Sequence, residues 1–193
     1  MGTLELVGKL SSIVPEKRLL TGDGLNHRYS HIWEMDQRLK ALCLILPETT
    51  EEVSAILKLC NSSRTKVIIH GGLTNLVGGT QTKGDEVVIS LERMNQIEEI
   101  DSSSRTAIVQ AGVILERVHE SVAQEGLLFP LNFGARGSAQ IGGMISSNAG
   151  GLRVLKYGMT RQLILGLEVV LADGTIISSM KKIIKDNSGY DLK

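Results

Sequence analysis

The sequence is poor in aromatic rings and shows no excess of either charge. Aromatic residues make up 3% of its 193 residues, and 21 lysines and arginines balance 21 aspartates and glutamates. Few rings leave few surfaces on which nucleic-acid bases could stack, and a balanced charge creates no field that attracts a polyanion. The composition therefore predicts a globular protein that does not bind nucleic acid.

Long apolar runs and targeting signals are also lacking. No run approaches the ~18 apolar residues of a membrane span, and the opening MGTLELVGKL resembles neither a signal peptide nor an arginine-rich transit segment. The 2 cysteines, Cys43 and Cys60, lie in apolar settings without CxxC spacing, which is typical of packed thiols in a reducing environment. We therefore expect no membrane span and a cytoplasmic location.

No arrangement of catalytic or metal-ligating residues is recognisable. The motifs HExxH and GxSxG are absent, and no cluster of His, Asp or Glu has ligand spacing. His27 and His31 could share a helix face, but nothing nearby supplies a third ligand, so a surface pair is favoured. His119 is expected to be solvated. We predict no catalytic residue and no metal site, and any difficult chemistry would belong to a cofactor.

Glycine, in contrast, is abundant, and it concentrates in two segments. These are residues 71–79 and residues 134–151, and both combine glycine with small polar residues and contain no acid. Glycine packs nothing, so such runs are useful where a backbone bends sharply or approaches a ligand closely enough to offer its N–H groups to an anion. We predict phosphate-cradling turns. A glycine-rich packing turn remains the alternative, and the helical spacing of Ile141, Met144 and Ile145 argues against a flexible linker.

The region before the first glycine segment predicts a βαβ unit. The apolar run 41–46 has the length of a buried strand, and Thr49 with Glu52 forms a capping box that begins an amphipathic helix. A second strand is predicted over 66–70. Parallel strands joined in this way bind ligands beyond their carboxyl ends, and the first glycine segment follows at that place. An amphipathic helix stopped by Pro15 precedes this unit, and residues 21–40 are predicted to be irregular.

From Glu86 onward the pattern predicts a second, antiparallel module. Residues 87–90, 97–100 and 106–110 have strand composition with turn signals between them. A helix is expected around 114–122, and Asp173 with Gly174 indicates a closing hairpin. One dinucleotide-sized anion could lie between the modules, held by both glycine segments. Neither segment is a Walker A or GxGxxG motif, which leaves room for another dinucleotide fold.

Three parts of the sequence resemble FAD-linked D-2-hydroxyacid dehydrogenases, flavoproteins of the vanillyl-alcohol oxidase type. HGGLTNLVGG, from His70, is similar to the RGGxTGLxGG loop of that family. GSAQIGGMISSNAGGLRVLKYG, from Gly137, resembles IGGxxATNAGGxRxxxYG and is followed by LGLEVVLADG. The final KDNSGYDLK resembles the residues that lead into GSEGTLG. The segments LEVVLADG and KDNSGYDLK are most similar to the D-2-hydroxyglutarate dehydrogenase branch of the family, and next to D-lactate and glycolate dehydrogenases.

This resemblance implies an α+β, PCMH-type FAD-binding fold of two modules. Residues 1–90 would form a βαβ-based module and residues 91–193 an antiparallel one, truncated before the last FAD-binding element and the substrate cap. Carried over by position, the residues implied to bind FAD are His70, Gly71, Gly72, Leu73, Thr74, Asn75, Gly134, Gly137, Ser138, Gly142, Gly143, Asn148, Gly150 and Gly151.

Four positions, three in the first segment and one directly before it, bear on how FAD would be held. His70 replaces the arginine of the family, Leu73 replaces a glycine or asparagine and could crowd the cofactor, and Asn75 replaces a glycine. Thr74 stands where relatives with covalently attached flavin have a histidine. The resemblance therefore implies that FAD is bound without a covalent link.

The implied reaction is hydride transfer from a D-2-hydroxy acid to FAD, which yields a 2-oxo acid and passes electrons to a separate acceptor. The 193-residue chain alone is expected to hold little FAD, to show no turnover, and to associate through its uncovered face, so a homo-oligomer is allowed. Two alternatives remain: an enzyme similar to UDP-N-acetylenolpyruvoylglucosamine reductase, which KDNSGYDL disfavours, and a non-catalytic nucleotide-binding module.

Overall fold

The computed structural model describes residues 2–182, and these form two compact units. Within this range the first unit comprises residues 2–94 and Val170–Ile176, and the second comprises Asn95–Val169 and residues 177–182. The segment KDNSGYDLK lies outside the described residues. The division into modules at residue 90 stays a prediction.

Most of the helices and strands are short. In order they are α1 (Thr3–Leu10), β1 (Leu19–Leu20), β2 (Cys43–Ile45), α2 (Thr50–Ser62), β3 (Val67–His70), β4 (Val87–Ser90), β5 (Ile97–Asp101), β6 (Thr106–Val109), α3 (Leu115–Gln124), α4 (Ile141–Ser146), α5 (Val154–Tyr157), α6 (Thr160–Leu163), β7 (Leu167–Val170) and β8 (Ile176–Ser179). Two 3₁₀ turns, Glu16–Arg18 and Gly22–Leu25, flank β1.

The first unit is built on a four-stranded sheet in the order β1-β2-β4-β3. β2 and β3 are both parallel to β4, and β1 is antiparallel to β2. The predicted strands and the helix between them are confirmed, but β4 lies between β2 and β3. Assigning residues 87–90 to the antiparallel module was therefore wrong. All four residues of β4 are buried, which is typical of a parallel strand covered on both faces.

Side chains alternate along β2 and supply two cores, one on each face of the sheet. Cys43 and Ile45 pack with α1 and α2, whereas Leu44 packs with Leu25 and Leu39 from the irregular region. Both cysteines are buried and unpaired; burial raises the pKa of the Cys43 thiol to about 12, as expected for a packed thiol. The irregular region thus packs against the second face of the sheet.

The start of α2 is fixed by two contacts, only one of which was predictable. The Thr49 hydroxyl accepts from the N–H of Glu52 at 3.2 Å, which confirms the N-terminal cap. The guanidinium of buried Arg18 also donates to both carboxylate oxygens of Glu52 at 2.7 Å. This pairing lowers the pKa of Glu52, because the nearby cation favours the charged form.

Within the described residues, the second unit contains the antiparallel hairpin of β5 and β6, most of the β7–β8 pair and four helices. β5 pairs with β6, β7 pairs with β8, and the core consists of Val113, Leu115, Val118, Val122, Leu131, Ala139, Ile141 and Met144. The predicted helix, α3, is confirmed with its apolar face in this core. His119 on α3 is half-buried and its Nε2 lies 2.8 Å from the carbonyl oxygen of Leu131. The ring is therefore partly exposed to solvent and has one protein partner, which the sequence did not indicate.

The turn between β7 and β8 contains the predicted Asp173–Gly174 pair. Gly174 has φ +86, a conformation that favours glycine, and Asp173 accepts from the N–H of Thr175 at 2.9 Å. The hydroxyl of Ser54, on α2, donates to the carbonyl oxygen of Gly174. A Cβ at Gly174 would lie 2.7 Å from the Ser54 carbonyl oxygen. These contacts explain why residues 170–176 group with the first unit.

Candidate functional site

The first glycine loop, residues 71–79, directly follows β3. Because β2, β4 and β3 run parallel, the loop leaves the sheet at the edge formed by their carboxyl ends, where open α/β sheets bind ligands. Residues 71–75 are half-buried and residues 76–79 are exposed. The predicted position of this loop is confirmed, and its tip is accessible.

His70, the last residue of β3, closes the base of this loop. It is 2% exposed, and its Nε2 lies 2.9 Å from the carbonyl oxygen of Thr80, to which Nε2–H donates. Burial lowers the pKa of His70, because a charged imidazole would lose its hydration. His70 is therefore a neutral side chain that joins the two ends of the loop, and its contact with a cofactor stays a prediction.

Asn75 shapes the tip of the loop through its side chain. Its Oδ1 accepts from the N–H groups of Val77 and Gly79, each at 3.2 Å, and its Nδ2 donates to the hydroxyl of Thr80 at 2.9 Å. Two N–H groups of the loop thus already have an acceptor within it. A glycine at position 75 could supply none of these bonds.

Leu73 is a non-glycine residue of the loop with a left-handed backbone, at φ +55. A Cβ atom makes this region unfavourable, and glycine or asparagine occupies it most readily. The family resemblance placed glycine or asparagine at this position, and the backbone gives the reason. Leu73 therefore stores strain in this chain, and some other contact has to hold it.

The glycines of the second segment, residues 134–151, do different work from one another. A Cβ at Gly142 would lie 2.9 Å from the Cβ of Ala111, and the Gly142 N–H donates to the Ala111 carbonyl oxygen at 2.8 Å. A Cβ at Gly151 would overlap the carbonyl oxygen of Asn132. These two glycines let backbones pack closely, which is the alternative that the sequence left open.

Several polar groups of the segment are likewise used within the protein. The N–H of Ser138 donates to Ala135, and the hydroxyls of Ser146 and Ser147 donate to carbonyl oxygens one turn earlier in α4. Asn148 adopts φ +46, and its Oδ1 accepts from the N–H of Arg161 at 2.9 Å. Asn148 therefore fixes the start of α6.

An acid approaches the segment although its own sequence has none. Glu116, on α3, has its Oε2 within 3.2 Å of a Cβ built on Gly137, and its other oxygen accepts from Nε of Arg136 at 3.1 Å. The lack of acids in the sequence of the segment therefore does not mean that no carboxylate lies near it. The sequence could not show this contact, because Glu116 lies about twenty residues before Gly137 in the chain.

A third set of features remains open to a ligand. Gly143 is exposed, no atom lies within 4 Å of a Cβ built there, and its N–H makes no hydrogen bond to another of residues 2–182. Gln140 is 8% exposed, and its Oε1 has no partner within the described part of the chain. A cavity of about 180 Å³ beside α4 is lined by Ile145, Asn148, Arg161, Ile164 and Leu167. A free N–H, an unpaired acceptor and an apolar cavity with one cation fit part of a dinucleotide such as FAD.

A larger cavity of about 370 Å³ lies in the first unit. It is polar and lined by Ser30, Glu34, Gln37, Arg38, Lys40, Gln81 and Thr82. None of the predicted site residues lines it. Among residues 2–182 no group of three or more His, Cys, Asp or Glu side chains could hold a metal ion, and no helix there is long and apolar enough to cross a membrane.

The parallel sheet with a glycine loop at its carboxyl edge, and the second glycine segment on α4, define a nucleotide-binding α+β protein. The chain belongs to the FAD binding domain family, whose model matches residues 41–179. The predicted cofactor class is thereby confirmed.

The relatives are oxidoreductases named for D-2-hydroxy acids. A probable D-2-hydroxyglutarate dehydrogenase of Oryza sativa subsp. indica is 49% identical over 150 residues, which are 78% of this chain and 27% of the relative. A putative D-lactate dehydrogenase of Schizosaccharomyces pombe is 40% identical over 188 residues, 97% of this chain and 36% of the relative. A D-2-hydroxyglutarate dehydrogenase of Bos taurus is 44% identical over 161 residues, which are 83% of this chain and 30% of the relative. The chain thus spans about a third of the length of these relatives.

Solved structures show the same fold at low identity. An alkyldihydroxyacetonephosphate synthase matches with a TM-score of 0.80 and 19% identity, covering 93% of this chain and 38% of its own. The grass pollen allergen Phl p 4, a glucose dehydrogenase, matches with a TM-score of 0.80 and 18% identity. The match covers 91% of this chain and 38% of the allergen chain. The predicted PCMH-type FAD-binding fold is confirmed.

The predicted cytoplasmic location was wrong. The rice, fission yeast and cattle relatives are all named as mitochondrial enzymes. The prediction used the two unpaired, buried cysteines, and thiol chemistry indicates a reducing environment without identifying the compartment.

Proposed function

We propose that this chain is the FAD-binding region of a dehydrogenase that oxidises a D-2-hydroxy acid to the 2-oxo acid and passes electrons to a separate acceptor. FAD, when bound, would accept the hydride. The observation that carries the proposal is the open surface at Gly143, with its free N–H and the unpaired Oε1 of Gln140 nearby in the chain. The names of the relatives support the substrate class and favour it over the reductase alternative.

The residues of the chain would bind and orient FAD and would not move the substrate proton. In the first loop, His70 and Asn75 hold the backbone in shape. In the second segment, Gly142 and Gly151 bring backbones together, so that Gly143 is left facing outward. Contact of one FAD with both glycine segments remains a proposal. So does the contribution of Gly71, Gly72, Thr74, Gly134, Ser138 and Gly150.

Flavin spectroscopy tests this function. A protein that contains this chain should absorb near ~450 nm when loaded with FAD, because bound oxidised flavin supplies that chemistry. D-2-hydroxyglutarate, D-lactate and glycolate should be compared as bleaching substrates, with NADPH as the reductase control. Bleaching by NADPH alone would favour the reductase, and bleaching by one hydroxy acid would name the substrate. Light scattering on the same sample would give the oligomeric state.

FAD should be released by denaturation. Thr74 has no ring nitrogen that could attach to flavin, unlike a histidine at that position. Acid precipitation followed by centrifugation should therefore leave all yellow colour in the supernatant. Colour that stays with the precipitated polypeptide would contradict non-covalent binding.

A further inference from the structure

Two hydrogen bonds reach the first glycine loop from a segment that the sequence showed only as irregular. The N–H of Ile32 donates to the carbonyl oxygen of Leu73 at 3.2 Å, and Nε2 of His31 contacts the carbonyl oxygen of Asn75. The two acceptors flank Thr74. They lie at and just after the strained Leu73, whose φ of +55 disfavours a leucine side chain.

The bonding of His31 requires one tautomer. The N–H of Trp33 donates to its Nδ1 at 3.0 Å, so Nδ1 carries the lone pair and Nε2 carries the hydrogen. Nε2–H is then the donor to the carbonyl oxygen of Asn75. The neutral imidazole of His31 thus links residues 31–33 to the loop backbone at Asn75, so the position of the loop depends on the position of this segment.

The segment is itself anchored at both ends. Arg28 donates to both carboxylate oxygens of Glu92 at 2.7 and 3.0 Å, and the Leu39 N–H donates to the Arg28 carbonyl oxygen at 2.7 Å. Leu39 is buried in the core beside Leu44. Because both ends are fixed, residues 28–39 can hold the loop and are not merely carried by it.

We propose that residues 28–39 are a brace for the first glycine loop, and that His31 is the positioning residue through which the brace sets the loop shape that FAD meets. The part that concerns FAD rests on the proposed function. The shape of the loop can be measured without FAD, so the two claims can fail separately.

Hydrogen exchange of the 193-residue chain tests the brace. In His31→Leu the donor is lost, and we expect the amides of Val77 and Gly79 to exchange about tenfold faster or more, since loops open locally when such bonds are removed. His31→Gln keeps an N–H donor and should restore slow exchange. His27→Leu, a change of an exposed histidine four residues earlier, is the matched control and should leave exchange unaltered. The amides of Val88 and Ile89 report that the sheet stays folded.

A double variant tests the link to strain. Leu73→Gly removes the side chain that opposes φ +55, so His31→Leu should accelerate exchange less in that background than in the wild type. Unchanged exchange in His31→Leu would overturn the brace, and an equal effect in both backgrounds would overturn its link to the strain at Leu73.

FAD titration then tests the cofactor part. Trp33, the 1 tryptophan of the chain, gives an emission signal within the brace. We expect FAD affinity to fall about tenfold in His31→Leu and to recover in His31→Gln. Unaltered affinity beside faster exchange would overturn the positioning role. A longer protein that contains the wild-type chain and yet binds no FAD would overturn the proposed function and leave the brace to be judged by exchange alone.

Discussion

The two glycine segments reach their shapes by opposite means. In residues 71–79 side chains do the shaping: His70 bonds Thr80, and Asn75 bonds the N–H groups of Val77 and Gly79. In residues 134–151 the absence of side chains sets the shape, because Gly142 and Gly151 allow neighbouring backbones to pack closely. Although the two segments have similar compositions, we expect mutations to affect them in opposite ways. The first segment should be damaged when a side chain is removed, and the second when one is added.

The largest expected effect is an addition in the second segment. Gly151→Ala places a Cβ on the carbonyl oxygen of Asn132, and overpacking of this kind should lower the free energy of unfolding by about 3 kcal/mol. Urea unfolding followed by circular dichroism would measure it. A midpoint equal to that of the wild type would mean that the two backbones do not pack as described.

A removal in the first segment should come next. Asn75→Ala deletes three hydrogen bonds, at about 0.5–1.5 kcal/mol each, and local opening should become easier by about 2 kcal/mol. Faster amide exchange at Val77 and Gly79 would show it. Asn75→Asp keeps the side-chain acceptor and is the matched control, so equal acceleration in both variants would contradict this role of Oδ1.

The pH dependence of His70 should follow at a smaller scale. The folded-state pKa of His70 is lowered from 6.5, so the stability that this neutral ring contributes is present above that value and is lost as pH falls towards the folded pKa. The slope can reach about 1.4 kcal/mol per pH unit. Glu52 titrates lower, since its pKa lies below 4.5. Urea unfolding of the wild type and His70→Gln between about pH 5 and 7 should show this slope only in the wild type; equal slopes would contradict it.

The smallest effect on stability should come from Gly143→Ala. No atom lies within 4 Å of the added Cβ, and alanine is the better helix former by up to about 1 kcal/mol. The variant should unfold at the wild-type midpoint or slightly above it. FAD affinity, in contrast, should fall about tenfold if the open N–H meets the cofactor. Unchanged affinity would remove Gly143 from the proposed site.

Local signals could be read from the sequence, and long-range contacts could not. The Thr49 cap of α2 and the apolar runs of β2 and β3 depend on residues close together in the chain, so they were predictable, although Glu52 does not complete the predicted capping box and accepts from the N–H of Glu48 instead. The position of β4 within the sheet was missed, because strand order is decided by pairing over tens of residues. The same limit explains why Gly142 and Gly143 look alike in the sequence: only the neighbour Ala111 distinguishes them.

His31 shows this limit at a single residue. In the sequence it could be compared only with His27, four residues away, as half of a surface pair. Its partner is the carbonyl oxygen of Asn75, 44 residues later. No local sequence pattern predicts such a bond. The family resemblance, in contrast, did indicate that Leu73 and Asn75 are unusual residues at their positions.

The bond from Ser54 to Gly174 has a consequence for how the chain is made. Its ends are 120 residues apart, and Gly174 fits closely against α2 near Ser54 and Lys58. Contacts between distant residues close large loops and slow folding. A ribosome delivers the chain from its N-terminus at about 5–20 residues per second, so α2 would wait several seconds for this partner. The first unit can therefore complete its folding only late in synthesis, although most of its residues leave the ribosome first.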